Sequence, residues 1–229
     1  MTLPTPYYDR DGITIYHGDC RDVLPSIDHA SVSLVLTDPP YGIGVKTGYA
    51  SSGRGKPSAK STHVGKSRIA SANEYRPVIG DDQPFDPEPM LRFPRVVLFG
   101  AQHFAHRLPP SGAWLVWNRV SGGSDTADAE LAWTNLGGTV RMFTYMWDGA
   151  CRAGEKDTHG LHPTQKPVAL MHWILDRWTQ PGDLIIDPYM GSGPVARAAA
   201  NIGRRYIGIE LDEDYCRIAV ERLRQGVLL

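Results

Sequence analysis

Residues 183–196 read Asp-Leu-Ile-Ile-Asp-Pro-Tyr-Met-Gly-Ser-Gly-Pro-Val-Ala. A short apolar run ends in an acid and passes through a glycine turn. It then enters an Ala-rich stretch, Pro194 to Asn201, opened by a proline whose missing N–H costs nothing in a first helical turn. Strand, glycine turn and helix are the opening βα unit of a nucleotide-binding fold. Gly191 and Gly193 let a ligand approach the backbone, and the helix start offers unpaired N–H groups to a carboxylate or phosphate. The next strand, Tyr206 to Glu210, ends in an acid placed to accept both hydroxyls of a ribose.

Gly191 to Ala196 also fits G-x-G-x-x-A, so a NAD-binding oxidoreductase is one alternative. Asp187, just before the turn, is a poor neighbour for a pyrophosphate and a good one for a cationic amino acid. Little sequence follows in which to build a second mononucleotide half. An amino-acid part at Asp187 and a ribose at Glu210 describe S-adenosylmethionine, which is the expected cofactor.

Working outward, β-like runs recur at Ile13–His17, Val32–Leu36, Arg95–Phe99, Ala113–Trp117, Val140–Trp147, Leu184–Asp187 and Tyr206–Glu210. Most are continuously apolar, as in strands covered on both faces. Val140–Trp147 alternates and reads as a late antiparallel strand. Helices are expected over Lys166–Trp178, Pro194–Asn201 and from Asp212 to about Gly226. Strands alternating with helices predict an α/β domain with a mostly parallel sheet and helices on both faces.

At the end of the second run stands Thr37-Asp-Pro-Pro-Tyr-Gly42. Two prolines fix the chain in a rigid, extended path and donate no hydrogen bonds. A parallel sheet gathers its strand ends along one crevice, so this turn should face the same pocket as Asp187 to Gly193. The amine of a nucleobase is a poor nucleophile because its lone pair is delocalised into the ring. Asp38 and the Pro39 carbonyl can accept its two hydrogens and aim the lone pair at a methyl donor. Pro40 stiffens the turn and Tyr41 can stack on the base, which is preorganisation. A base inside a duplex must first be flipped out.

Composition is that of a globular protein, 41% hydrophobic and 21% charged over 229 residues, with no apolar run long enough to span a membrane. Cys20, Cys151 and Cys216 are widely spaced, which argues against a disulfide framework and for a reducing cytoplasm. His159 and His162 flank a glycine and precede a proline, and no metal site is expected there. The net charge is −1, yet Gly42 to Val78 carries seven basic residues against one acid, Glu74. The stretch 42–94 is therefore read as a partly flexible basic insertion. Lys46, Arg54, Lys56, Lys60, Lys66 and Arg68 are its phosphate-neutralising candidates. Gly80 to Asp86, rich in acid, is expected to dock back on the domain.

Together these motifs resemble the permuted DNA amino-methyltransferases, the N6-adenine and N4-cytosine DNA methylases in which the catalytic motif precedes the cofactor motif. The resemblance covers most of the chain. It implies a single catalytic domain over residues 1–229 with the Rossmann-like seven-stranded S-adenosylmethionine-dependent methyltransferase fold. His17-Gly-Asp19-Cys20 resembles the strand-end motif that contacts the cofactor's adenine. Leu161-His-Pro-Thr164-Gln-Lys166-Pro167 resembles the segment near its methionine end. Asp38, Asp187, Tyr189, Gly191, Ser192, Gly193, Glu210 and Leu211 complete the implied cofactor set. The substrate implied is double-stranded DNA in a bacterial or phage-infected cell, with a homodimer and a cognate restriction endonuclease left open as further partners. Asp38, first in its motif, points to adenine N6, with cytosine N4 as the alternative. Protein glutamine methylation is a more distant alternative, disfavoured by the motif order.

Two features depart from the family pattern. Pro194 and Val195 stand where a Thr-Thr pair is usual, which places cofactor affinity in question. The span Trp147 to Leu161 is short where many relatives carry a recognition region, so the basic insertion is the candidate recognition element.

Overall fold

The computed structural model describes residues 2–44, 78–120, 127–148, 151–152 and 165–224. Lys46, Arg54, Lys56, Lys60, Lys66, Arg68, Thr164, Gly226 and the His159/His162 pair lie outside the described residues.

The strands are β1 (Tyr8–Arg10), β2 (Ile13–His17), β3 (Leu34–Thr37), β4 (Val96–Phe99), β5 (Trp114–Asn118), β6 (Ala129–Thr134), β7 (Arg141–Thr144), β10 (Leu184–Asp187) and β11 (Arg205–Glu210), with a separate ribbon of β8 (Trp147–Asp148) and β9 (Cys151–Arg152). The helices are α1 (Cys20–Val23), α2 (Glu88–Leu91), α3 (Val168–Trp178), α4 (Pro194–Asn201) and α5 (Glu213–Arg224). One nine-stranded sheet has the order β1-β2-β11-β10-β3-β4-β6-β5-β7. Seven of its strands run in one direction, while β1 and β6 run against them. The seven expected strands thus have two antiparallel additions.

The expectation for Val140–Trp147 needs correction. It breaks into β7 and the start of the ribbon, and β7 pairs parallel with β5 (Leu115 opposite Arg141). The reversed internal strand is β6, inserted between β4 and β5. Its sequence, Ala-Glu-Leu-Ala-Trp-Thr, contains four good helix formers. Burial between two neighbouring strands overrides that local preference.

Helices α3, α4 and α5 cover one face, packing Leu170, Ile174, Val195, Ala199 and Ala219 against Ile15, Leu34 and Ile185. The other face carries α1, α2 and several short turns, with Cys20, Met90, Phe93 and Phe104 against Val35, Leu98 and Ile186. A sheet buried on both faces explains why its central strands read as unbroken apolar runs. Among the described residues, no helix is long and apolar enough to cross a membrane.

Register decides which strand ends meet. β3 lies beside β10 with Val35 opposite Ile186, and β10 beside β11 with Asp187 opposite Gly208. β11 pairs with β2 so that Glu210 faces His17, and β4 pairs with β3 so that Leu98 faces Thr37. The residues following these five strands therefore share one crevice, as the strand-end rule for open α/β sheets requires.

Candidate active site

A cavity of about 510 Å³ opens along that crevice, within the size range of small-ligand sites. Gly18 to Arg21, Asp38 to Tyr41, the 78–86 segment, Gln165, Lys166, the Asp187 turn and Glu210 to Asp212 all contribute to its wall.

At one end the Thr37 hydroxyl donates to Asp187 Oδ1 at 2.7 Å, and the Tyr206 hydroxyl reaches Asp187 Oδ2 at 3.3 Å. Asp187 is 2% exposed, and burial pushes its carboxyl up to about 7 despite these hydrogen bonds. Glu210 accepts the Gly191 N–H on Oε2 and the Asp212 N–H on Oε1, both at 2.8 Å. Burial raises its pKa as well. Each oxygen keeps a second lone pair for a ligand hydroxyl.

Gly193 caps α4 at φ 75°, where a Cβ would stand 2.8 Å from that of Ala219, so glycine is required by both conformation and space. Pro194 occupies the first turn of α4 without disturbing it. Ser192 is turned inward at 2% exposure, and its carbonyl accepts from Arg222 at 3.1 Å. Asp19 caps α1 through the Arg21 N–H and also grips the Arg21 guanidinium, whose hydrogen bonds hold its carboxyl below the usual range. Tyr189 packs edge-on to Phe85, and burial raises the pKa of its hydroxyl. Leu211 is half exposed at the cavity rim.

At the other end stands the Asp38–Tyr41 turn. Asp81, 4% exposed, receives the N–H groups of Tyr41 and Gly42 on Oδ1, each at 2.9 Å. The acidic 80–86 segment thus docks back on the domain and clamps the turn. Phe85 is buried beneath it, and the Phe85 carbonyl takes the Arg107 guanidinium at 2.6 Å. Gly100, at φ 66°, lies directly against the Tyr41 ring, since a Cβ there would come within 1.9 Å of it. His103 stacks on Tyr41 with centroids 5.3 Å apart at 16°.

Tyr41 Oη donates to Asp38 Oδ1 at 2.5 Å. Lys166 Nζ donates to Asp38 Oδ2 at 2.6 Å and to Tyr41 Oη at 3.2 Å. Lys166 also forms an ion pair with Glu130 Oε2 at 3.1 Å. Burial alone would lower the lysine pKa, yet the charges of Asp38 and Glu130 hold it well above its ordinary value. Burial, then the charge of Asp38, raises the Tyr41 hydroxyl in turn.

Lys166, expected near the cofactor's methionine end, is thus placed on the carboxylate of the Asp38 turn. Glu130 and Gln165 were not anticipated. Glu130 is the second residue of β6, and because that strand runs backwards its start, not its end, reaches the crevice. Gln165 is 5% exposed, and neither amide atom finds a hydrogen-bond partner among the described residues. The sequence signals neither, since only the fold buries Gln165 and reverses β6.

The DNA methylase family N6_N4_Mtase matches residues 124–221, a span that includes β6, the lysine segment, the glycine turn and Glu210. That match covers less than half of the chain. The chain is 41% identical over 78 residues to the type II methyltransferase M2.DpnII of Streptococcus pneumoniae, covering 34% of this chain and 29% of that protein. It is 37% identical over 81 residues to M2.LlaDCHI of Lactococcus lactis subsp. cremoris, 35% and 30% of the respective lengths. The match therefore spans less than a third of either relative. In fold it is similar to the cytosine-N4-specific PvuII DNA methyltransferase, with a TM-score of 0.61 at 14% identity over 98% of this chain and 90% of that one. The M1.HpyAVI–SAM complex is similar at a TM-score of 0.50 and 21% identity, covering 92% and 98%. These are similarities of fold.

Proposed function

We propose that this protein transfers a methyl group from S-adenosylmethionine to the exocyclic N6 amine of an adenine flipped out of double-stranded DNA. The observation that carries this reading is the junction of Asp38, Tyr41 and Lys166 with the glycine turn and Glu210 in one cavity. The residues fit the cofactor. Glu210 holds two oxygens, each with a spare lone pair, at a strand end. The buried Asp187, and Gln165 with its unpaired amide, suit an amino-acid end.

S-adenosylmethionine, when bound, supplies an electrophilic methyl group on a sulfonium. The chain's own work is to prepare the nucleophile. Asp38 and the Pro39 carbonyl accept the amine hydrogens and turn its lone pair out of conjugation, held in place by Pro40 and the Asp81 clamp. Tyr41 offers its ring to the base, offsetting stacking lost on flipping. The surplus amine proton departs after transfer. Lys46, Arg54, Lys56, Lys60, Lys66 and Arg68 neutralise phosphates in this reading. Asp38 as first residue of its motif supports adenine over cytosine.

Unmethylated plasmid DNA incubated with methyl-labelled cofactor, then digested to nucleosides, tests the reading. Label in N6-methyladenosine that is lost in Asp38→Ala is the expected result. Label in N4-methylcytosine would move the base assignment and keep the site. Absence of label on DNA, with cofactor bound, would overturn the DNA substrate.

A further inference from the structure

Each oxygen of Asp38 already accepts one hydrogen bond. Tyr41 Oη donates to Oδ1, Lys166 Nζ donates to Oδ2, and Lys166 also donates to Tyr41, closing a ring of three side chains. One lone pair remains on each oxygen, so a base amine arriving at Asp38 shares its acceptor with a donor already in place. It also gains positive charge as its lone pair attacks, and an ammonium pinned on Asp38 opposes that charge.

Glu130 offers a way out. Its Oε2 lies 3.1 Å from Lys166 Nζ, so the ammonium already sits between two carboxylates. Glu130 is itself anchored. Its Oε1 takes the Arg119 guanidinium at 3.3 Å, and Arg119 donates to the Trp147 carbonyl at 3.1 and 3.2 Å and lies over the Trp117 ring. The lysine stem, by contrast, is long and rotatable.

We propose that Glu130 is a positioning residue that acts through Lys166. It provides the second seat to which the ammonium withdraws when the target amine arrives, lifting the competing donor and its charge from Asp38 Oδ2, which then accepts an amine hydrogen alone. Total charge in the cluster is unchanged by the move, and no bond to carbon is made or broken. The inference deepens the reading above and rests on Asp38 as the amine acceptor.

Glu130→Gln preserves size and an oxygen acceptor but removes the charge that holds the ammonium. Single-turnover methyl transfer should slow about tenfold to a hundredfold, with cofactor Kd within about twofold of wild type. An unchanged rate, or a Kd weakened by the same factor as the rate, would overturn the proposal, because Glu130 would then be idle or merely shaping the pocket. Arg119→Gln loosens the seat without discharging it and should give a smaller slowing. If the Glu130 variant does not fold, an unchanged rate in Arg119→Gln would sink the idea.

NMR of isotope-labelled lysine ammonium groups reads the sharing without catalysis. The Lys166 signal should move in both Asp38→Asn and Glu130→Gln. A signal indifferent to Glu130→Gln counts against the proposal even if wild type methylates nothing, whereas that inactivity alone would defeat only the assigned reaction.

Discussion

The Thr37 hydroxyl and the Asp187 carboxylate, 150 positions apart in sequence, are joined by a buried hydrogen bond of 2.7 Å. That bond ties the end of β3 to the end of β10, and so ties the Asp38 turn to the glycine turn. Because Asp187 titrates near 7 in the fold and near 3.8 when free, pH acts on both.

The sign follows from proton counting. Between about pH 4 and 7 the folded carboxyl holds a proton that the unfolded one releases, so stability falls as pH rises, by about 4 kcal/mol at most. Thermal unfolding of the ligand-free protein followed from pH 5 to 8 should show this loss, and Asp187→Asn should flatten it. Cofactor binding should run the other way, tightening as pH rises through about 7, since a cationic amino acid favours the ionised carboxylate. Calorimetry in buffers of different ionisation enthalpy should detect a proton released on binding near pH 6. A pH-independent Kd that persists in Asp187→Asn would remove Asp187 from the cofactor site.

Gly100→Ala should uncouple folding from catalysis. The added methyl meets the Tyr41 ring, whose hydroxyl is hydrogen-bonded to Asp38, and the φ of 66° adds strain of about 1 kcal/mol. Methyl transfer should drop at least about tenfold, a loss of about 1.4 kcal/mol in transition-state stabilisation, while cofactor Kd stays near wild type. Equal loss of both would mean that the turn and the cofactor site move together.

Asp81→Ala removes the acceptor for the Tyr41 and Gly42 N–H groups. Leaving buried donors unpaired costs about 1–3 kcal/mol, which for a domain of this size lowers Tm by roughly 2–12 °C. The rate of methyl transfer should fall more than the stability loss accounts for at 25 °C, where the protein is still folded. Differential scanning fluorimetry beside a single-turnover assay separates the two effects.

Gln165→Leu has an unusual expected sign. The amide makes no hydrogen bond among the described residues, so replacing it with a similar-sized apolar group should leave the ligand-free Tm unchanged or raise it. The Tm gain on adding cofactor should shrink, because binding stabilises by RT ln(1 + [L]/Kd). An unchanged gain would show that Gln165 does not contact the cofactor.

What could be read from the chain itself was whatever is written in local backbone chemistry. The Asp187 turn, the proline pair after Asp38, the first-turn proline of α4 and the acid ending β11 each constrain φ, hydrogen-bond supply or strand ends within a few residues. The strand-end rule for parallel sheets then brings them together without further information. The role of Asp19 as a helix cap is local in the same way.

Tertiary structure alone decided the charges around Asp38. Glu130 enters the site because β6 runs against its neighbours, and nothing in Ala-Glu-Leu-Ala-Trp-Thr announces a reversed strand. The direction taken by Lys166 depends on two carboxylates, one of them 128 positions away, whose combined field outweighs the cost of burying an ammonium. Long-range electrostatics in a low-dielectric cleft depends on distances that only the folded chain sets.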